Sequence, residues 1–542
     1  LYSKIDNNKK FNLNDFSDYF SAVVSYDNNG SGDSLKFFSS SKNLLNSHQP
    51  YLKKYIYSLI LNGRVKRALQ ELRFNGENEN SNFVEAYFLL TIDSLKKKEF
   101  LKADNYLIKA RQFSRNNTFD LIIYETLKNY SYLFKNNKIN NDSTNFGDLT
   151  SINKALQSCY LGSNNTIQYF DSLTKNEKVD YSRYIYFYTN YLLKKKKFES
   201  AKKIVKEVNT LDSSLLILQT KLWVENEQFK KVGEIFSCES QGDILGEFFF
   251  VISNLYSSEA NFEKSNFYMN ISNFLNPKFK FNLSLLANNY LLNENYEDAK
   301  KTLNNFEKDN QIYYWYKIKQ NAQILSKKDK ELASDYINSK FKEIKNPSIK
   351  ILFDMANISR DFNNYEIAIE YYDKIIPEID HNSKTYADLL YKRGGSHERL
   401  GNFEMADKDL LKSLEVDPSD AYVLNYLAYS WLERNMNLEI AIEMLEKAYS
   451  LQKNDPYILD SVGWGYYLAE DFVNAEKFLK KSILLMPDDP IVNDHYGDVL
   501  WRLGKKIQAT YFWQKVLNSK ETKEQMRENI NFKILKGLQK NI

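Results

Sequence analysis

Along the C-terminal third of the chain, apolar residues fall at helical spacing, and the pattern recurs. Ala421–Trp431, a segment beginning Asp460-Ser-Val-Gly-Trp464, and Asn493–Trp501 each read as an amphipathic helix with a small residue near its middle: Ala428, Gly463 and Gly497. Gly463 and Gly497 are 34 residues apart, and Ala428 lies 35 before Gly463. A second helix follows each, carrying Ala441, Ala475 or Ala509, again in steps of 34. Two helices of three to four turns plus two short turns use up about 34 residues, so the period predicts stacked helical hairpins. Small residues let the paired helices approach, and large apolar residues fill the seam. Pro487 closes one unit and Pro490 opens the next, where a missing N–H costs least.

The period extends upstream with drift. Residues 1–14 are polar and predict a disordered lead-in, followed by helices over 15–26 and 34–45 around a loop at Asn28–Asp33. Leu52, Tyr55, Ile56 and Leu59 form the next apolar face; Gly63 turns the chain, and Ala68 and Leu72 anchor the returning helix. Ala103 stands 35 residues after Ala68. Through 118–180 the register is lost, with a helix over 121–134, a loop over 136–145 and weak helical character over 151–170. Ala103 to Ala201 is 98 residues, close to three periods, so drifted repeats are expected there, not an inserted catalytic domain. From Tyr181 equivalent positions return at Ala201, Val232, Ser265, Ala299, Ala333, Ala368 and Ala406. The reading divides the chain into a lead-in (1–14), N-terminal repeats (15–117), degenerate helical repeats (118–180), middle repeats (181–385), well-formed C-terminal repeats (386–519) and a capping helix (520–542). In the last, Ile530, Phe532, Ile534, Leu535 and Leu538 can shield the final seam from water. The fold expected is an all-α solenoid of roughly a dozen helix-turn-helix repeats.

Composition adds exclusions. The 542 residues are long for one globular core, a limit a solenoid escapes because each unit touches only its neighbours. A net charge of +4 offers no nucleic-acid footprint. The run Lys194–Lys197 falls at a helix end, where cations face the negative end of the dipole. No apolar run approaches the ~18 residues of a transmembrane helix. Leu1 in place of Met points to a fragment or a removed leader. Cys159 and Cys238, far apart and in different repeats, read as core-filling thiols without a metal spacing or a disulfide framework. Four histidines, no phosphate-binding glycine loop, no dinucleotide fingerprint and no nucleophile elbow leave no catalytic residue to name. The chain is therefore read as non-enzymatic, with no cofactor and no metal.

Gly463, Gly497, Tyr466, Phe472, Ala475 and Pro487 together resemble the tetratricopeptide repeat. The resemblance implies a right-handed superhelix whose first helices line a concave, partner-binding surface through their second, fifth, ninth and twelfth positions. Carried over, these are Tyr391 and Glu398; Tyr422, Asn425, Tyr429 and Leu432; Tyr457, Asp460, Trp464 and Tyr467; and Ile491, Asp494, Asp498 and Trp501, with His495 and Arg502 beside them. The stripe is aromatic, amide and acidic, as interface hot spots are. Packing between adjacent repeats is the competing account of its aromatics: for Trp464 the two stand level, and for Tyr466 packing is favoured. Solvated faces or local caps compete for Asp460, Asp494 and Asp498. Chaperone-binding relatives hold a C-terminal carboxylate with basic and amide side chains; here the fifth positions are Tyr391, Asn425, Asp460 and Asp494, which would repel it.

A narrower resemblance rests on Leu424–Tyr429, Asp460–Trp464, Asn493–Asp498 and Trp501-Arg-Leu-Gly504. These are similar to proteobacterial envelope-associated tetratricopeptide proteins, which include a lipoprotein adaptor for a periplasmic processing protease. The resemblance implies a periplasmic or outer-membrane scaffold or adaptor, with a processing protease or its substrates as partner. Two other readings remain: an enzyme subunit or a carboxylate-based enzyme, and a structural spacer in an envelope complex.

Overall fold

A computed structural model describes residues 12–28, 31–45, 49–75, 82–114, 117–140, 142–175 and 182–538. Residues 1–11 of the expected lead-in, Asn29 and Gly30 of the expected loop, Tyr181 and the last four residues of the expected cap lie outside them. The described residues contain thirty α-helices. Twenty-eight pair as fourteen consecutive hairpins; the other two are Thr118–Asn136 and the final helix, Glu524–Lys536. The fold is all-helical, as the periodicity predicts. The chain divides between Asn346 and Pro347 into two compact units.

The hairpin turns explain why the period survives where the sequence drifts. A residue in the left-handed region ends the first helix of most pairs: Lys196, Glu227, Ala260 and Glu294 in one stretch, and Gly401, Asn435, Glu470 and Gly504 in another. The following N–H donates back to a helix carbonyl, as from Asn261 to Tyr256 at 2.9 Å, Asp471 to Tyr466 at 2.9 Å and Lys505 to Leu500 at 2.9 Å. This closure satisfies carbonyls left over at the helix end and tolerates any side chain that accepts the left-handed cost. A second device is a serine on the returning helix that donates to a carbonyl of the first: Ser272 to Gly246 (2.6 Å), Ser413 to Ala387 (2.8 Å) and Ser482 to Pro456 (2.8 Å). Pro277, Pro418 and Pro487 stand at the same place after each serine.

The small residues of the pattern are where helices meet. A Cβ on Gly497 would lie 2.5 Å from Nε1 of Trp513, and one on Gly463 2.5 Å from Cγ of Leu479. Trp513 and Leu479 are fully buried. At the matching place of helix Gln241–Ser258, Ser253 replaces the glycine and its hydroxyl bonds to the Ser265 carbonyl at 2.8 Å.

Two features of the first unit differ from the expectation. Residues 118–175 form three helices, Thr118–Asn136, Asp148–Tyr160 and Thr166–Thr174, and the single weak helix expected over 151–170 is broken at Gly162, which has φ +62°. Cys159 and Cys238 are not free thiols but a disulfide with Cα atoms 5.6 Å apart, which corrects the reading as core-filling thiols. The end of helix Asp148–Tyr160 and the loop before Gln241 are brought together by the stacking of intervening hairpins, a proximity invisible in a separation of 79 residues.

The first unit also closes on itself. The helix Phe262–Leu275 packs against Gln49–Leu61, with Tyr57 stacked on Phe267 at 4.5 Å. Glu85, buried, accepts from the Tyr57 hydroxyl at 2.7 Å and pairs with Lys264, while Phe119 meets Tyr256 at 4.6 Å. A continuous core runs from Tyr19 to Ile324. The surface that the early repeats would offer a partner is occupied here by a later hairpin of the same chain.

Candidate functional site

In the second unit, hairpins Lys384–Arg399 with Phe403–Val416, Ala421–Glu433 with Leu438–Leu451, Pro456–Leu468 with Phe472–Leu485, and Pro490–Arg502 with Lys506–Asn518 follow one another. Asp420, Asp455 and Asp489 cap the first helices, each accepting backbone N–H bonds of 2.9–3.1 Å. Pro456 and Pro490 take the first helical position. This repeated start sets the register in which the concave side chains emerge.

The predicted stripe divides into an open part and a filled part. The open part is a cleft of about 270 Å³ lined by Asn425, Tyr429, Tyr457, Asp460 and Ile491, together with Glu398, Tyr426, Glu433 and Asp489. Tyr457 is 63 % exposed and Ile491 51 %; Tyr422, 53 % exposed, lies outside the cleft lining. Tyr391 is half-buried and meets Tyr426 edge-on at 5.7 Å, and the Tyr426 hydroxyl donates to Glu398 at 2.9 Å. Burial, with the charge of Glu433 beside it, raises the pKa of Tyr429. Leu432 is buried in the seam.

The filled part lies at the last two repeats. Trp464, half-buried, is stacked between Tyr467 at 4.7 Å and the His495 imidazole at 4.1 Å. His495 Nδ1 lies 3.0 Å from the Asp460 carboxylate, and both side chains are buried. Burial alone would lower the His495 pKa, but the Asp460 charge and hydrogen bond, with Asp494 and Asp498 nearby, raise it. Arg502 donates to the Tyr467 hydroxyl at 3.3 Å. Asp498 accepts from Trp513 Nε1 at 3.0 Å.

Lys533, on the final helix, lies 2.6 Å from Asp494 and 2.8 Å from Asp498. Burial and the Asp494 charge push Asp498 up to about 6 against the pull of Lys533. Trp501 packs on Trp513 at 5.3 Å with Lys506 over its ring. The final helix thus spends its lysine on two predicted groove carboxylates and buries Ile530 against the seam. Arg527 donates to the carbonyls of Leu517 and Ser519, closing the end of the preceding helix. Asp494 and Asp498 are thereby committed to the final helix and Trp501 to the helix before it, and Asp460 alone of the three predicted aspartates borders the open cleft. Among the described residues, no group of three or more His, Cys, Asp or Glu could hold a metal ion, and no helix is long and apolar enough to cross a membrane.

A larger hollow of about 820 Å³ lies in the first unit, with Leu149, Arg183, Leu215, Phe250, Asn254, Asn288 and Tyr313 among its lining residues. The Arg183 guanidinium is bound bidentately by Glu247 (2.8 and 2.7 Å) and lies 3.6 Å from the Phe250 ring centroid. Sequence reasoning missed this site because its walls come from six helices. The one legible signal was the 34-residue step from Asn254 to Asn288.

Paired helices with small residues in their seams define an all-helical repeat fold. Residues 387–420 match the tetratricopeptide repeat family. A segment of 129 residues, 23 % of the chain, is 31 % identical to the TPR repeat-containing protein PA4667 of Pseudomonas aeruginosa. That match spans 22 % of the length of this curated relative. Among solved structures, MamA of Desulfovibrio magneticus aligns at 18 % identity over 32 % of this chain and 97 % of its own, with a TM-score of 0.28. PilF of Pseudomonas aeruginosa aligns at 18 % identity over 35 % and 85 %, with a TM-score of 0.30.

Proposed function

We propose that this chain is a non-catalytic scaffold that holds a protein partner in the cleft between Tyr429 and Tyr457, and that it works in an oxidising compartment of a bacterial envelope. Tetratricopeptide-repeat proteins are in general interaction scaffolds and typically lack catalytic activity. The observation that carries the binding reading is the cleft itself, where the predicted stripe leaves exposed aromatic and aliphatic area that no described side chain fills. Tyrosines of this kind offer large contact area at low entropic cost.

The Cys159–Cys238 disulfide supports the compartment, since such bonds persist outside the reducing cytosol. It agrees with the envelope-type motifs of residues 421–513, and within that reading a processing protease or its substrates are the partners to look for first. Two carboxylates of the last repeats are already paired, Asp494 and Asp498 both being bound by Lys533.

The test is affinity capture from the source cells with the full chain and with a Tyr457→Ala/Ile491→Ala variant. Both residues are more than half exposed, so the variant should keep its helical circular dichroism. Loss of a specific protein from the variant supports the reading, and an unchanged set of captured proteins refutes the cleft assignment.

A further inference from the structure

The chemistry of the cleft narrows the partner. Four carboxylates line it, those of Glu398, Glu433, Asp460 and Asp489, against one guanidinium, Arg399. Even with a charged His495 behind Asp460, the lining stays acidic. Between the carboxylates stand the rings of Tyr426, Tyr429 and Tyr457. Aromatic faces flanked by carboxylates attract a cation twice over, through the ring quadrupole and through direct charge. Asn425, which also lines the cleft, has a buried side-chain oxygen with no hydrogen-bond donor among the described residues, an acceptor suited to an incoming N–H.

The whole chain has a net charge of +4. Residues 347–542, the unit that carries the cleft, hold 25 Lys and Arg against 31 Asp and Glu, a net of −6, so a basic ligand is also drawn to this unit as a whole. Loss of a preference for a basic ligand on changing single cleft residues is therefore what assigns it to this cleft.

We infer that the cleft selects an extended partner segment by a lysine or arginine side chain inserted among Tyr429, Tyr457 and Glu433, with an apolar neighbour of that residue resting on Ile491. The inference rests on the reading of this cleft as the partner-binding surface. The ring faces take the cation, the carboxylates compensate its charge, and the Asn425 oxygen accepts from the guanidinium, ammonium or backbone N–H.

Fluorescein-labelled short peptides of one Ser/Ala/Leu host sequence, carrying two arginines, two glutamines or two glutamates at the same positions, test it by anisotropy against the full chain. The arginine peptide should bind about tenfold tighter than the glutamine peptide, and the glutamate peptide weakest. Glu433→Lys should bring the arginine peptide to the glutamine level, and Tyr457→Ala should weaken it about fivefold. Both positions are exposed, so neither change should disturb folding. Equal binding of the three peptides, preference for glutamate, or wild-type binding by both variants would each overturn the inference. Absence of binding by any peptide, while a captured partner still depends on Tyr457 and Ile491, would sink the charge rule and leave the scaffold reading standing.

Discussion

Replacing Cys159 and Cys238 by alanine should weaken the first unit and leave the second as it is. The bridge ties residues 79 apart, and loop-closure entropy for that length is worth about 4.5 kcal/mol at room temperature. Removing a native disulfide typically costs about 2–5 kcal/mol, and a loss in that range is expected. One non-covalent tie between the same parts remains, Gln241 donating to the Tyr160 hydroxyl at 3.2 Å, and Tyr160 also packs on Phe134 at 5.1 Å.

A repeat array need not unfold in one step, so a local readout suits it better than a single midpoint. Amide hydrogen exchange provides one. Protection in Asp148–Tyr160 and in the segment entering Gln241–Ser258 should fall, while helices from Ile349 onward exchange as before. Urea unfolding followed by circular dichroism should show an early transition moved to lower concentration beside an unmoved later one or the reverse order, with only one of the two affected. Unchanged protection in both segments, or free thiols alkylated in the untreated native protein, would refute the reasoning and with it the argument for an oxidising compartment.

Two further outcomes follow from the second unit. Gly497→Ala forces a methyl to within 2.5 Å of the buried Trp513 ring, so the last repeat should lose about 1–3 kcal/mol and increase its exchange, whereas Gly401→Ala, with open space around it, should cost only its left-handed backbone term; equal losses would show that the glycine is not there to admit the tryptophan. His495 holds its proton above the ordinary imidazole value in the folded protein, so its contribution is complete below about pH 6.5 and disappears as pH rises through the raised folded value. The stability difference between the protein and His495→Gln should therefore be larger at about pH 6 than at about pH 9, and the same difference at both would remove the charged pair with Asp460.

How much was legible can be followed in single residues. The period, the hairpins and the seam glycines were readable because each hairpin must bury its apolar face against the next at fixed spacing. Gly463 and Gly497 therefore announce themselves from a single sequence, and so do the helix starts at Pro456 and Pro490 and the final helix with its inward Ile530. The helical repeat class needed nothing further.

What the stripe does was not readable in the same way. Asp460 and Asp494 hold the same place in their repeats, 34 residues apart, yet the first borders a cleft and the second is bound by Lys533. The difference is made by the final helix, whose Lys533 reaches back across 35 residues to Asp498. The disulfide, the closure of Phe262–Leu275 on Gln49–Leu61 and the hollow lined by Arg183 share that cause. Local pattern determines each hairpin, because its helices meet within one period. Which faces remain open is decided only when small rotations between successive hairpins add up and bring distant ones together.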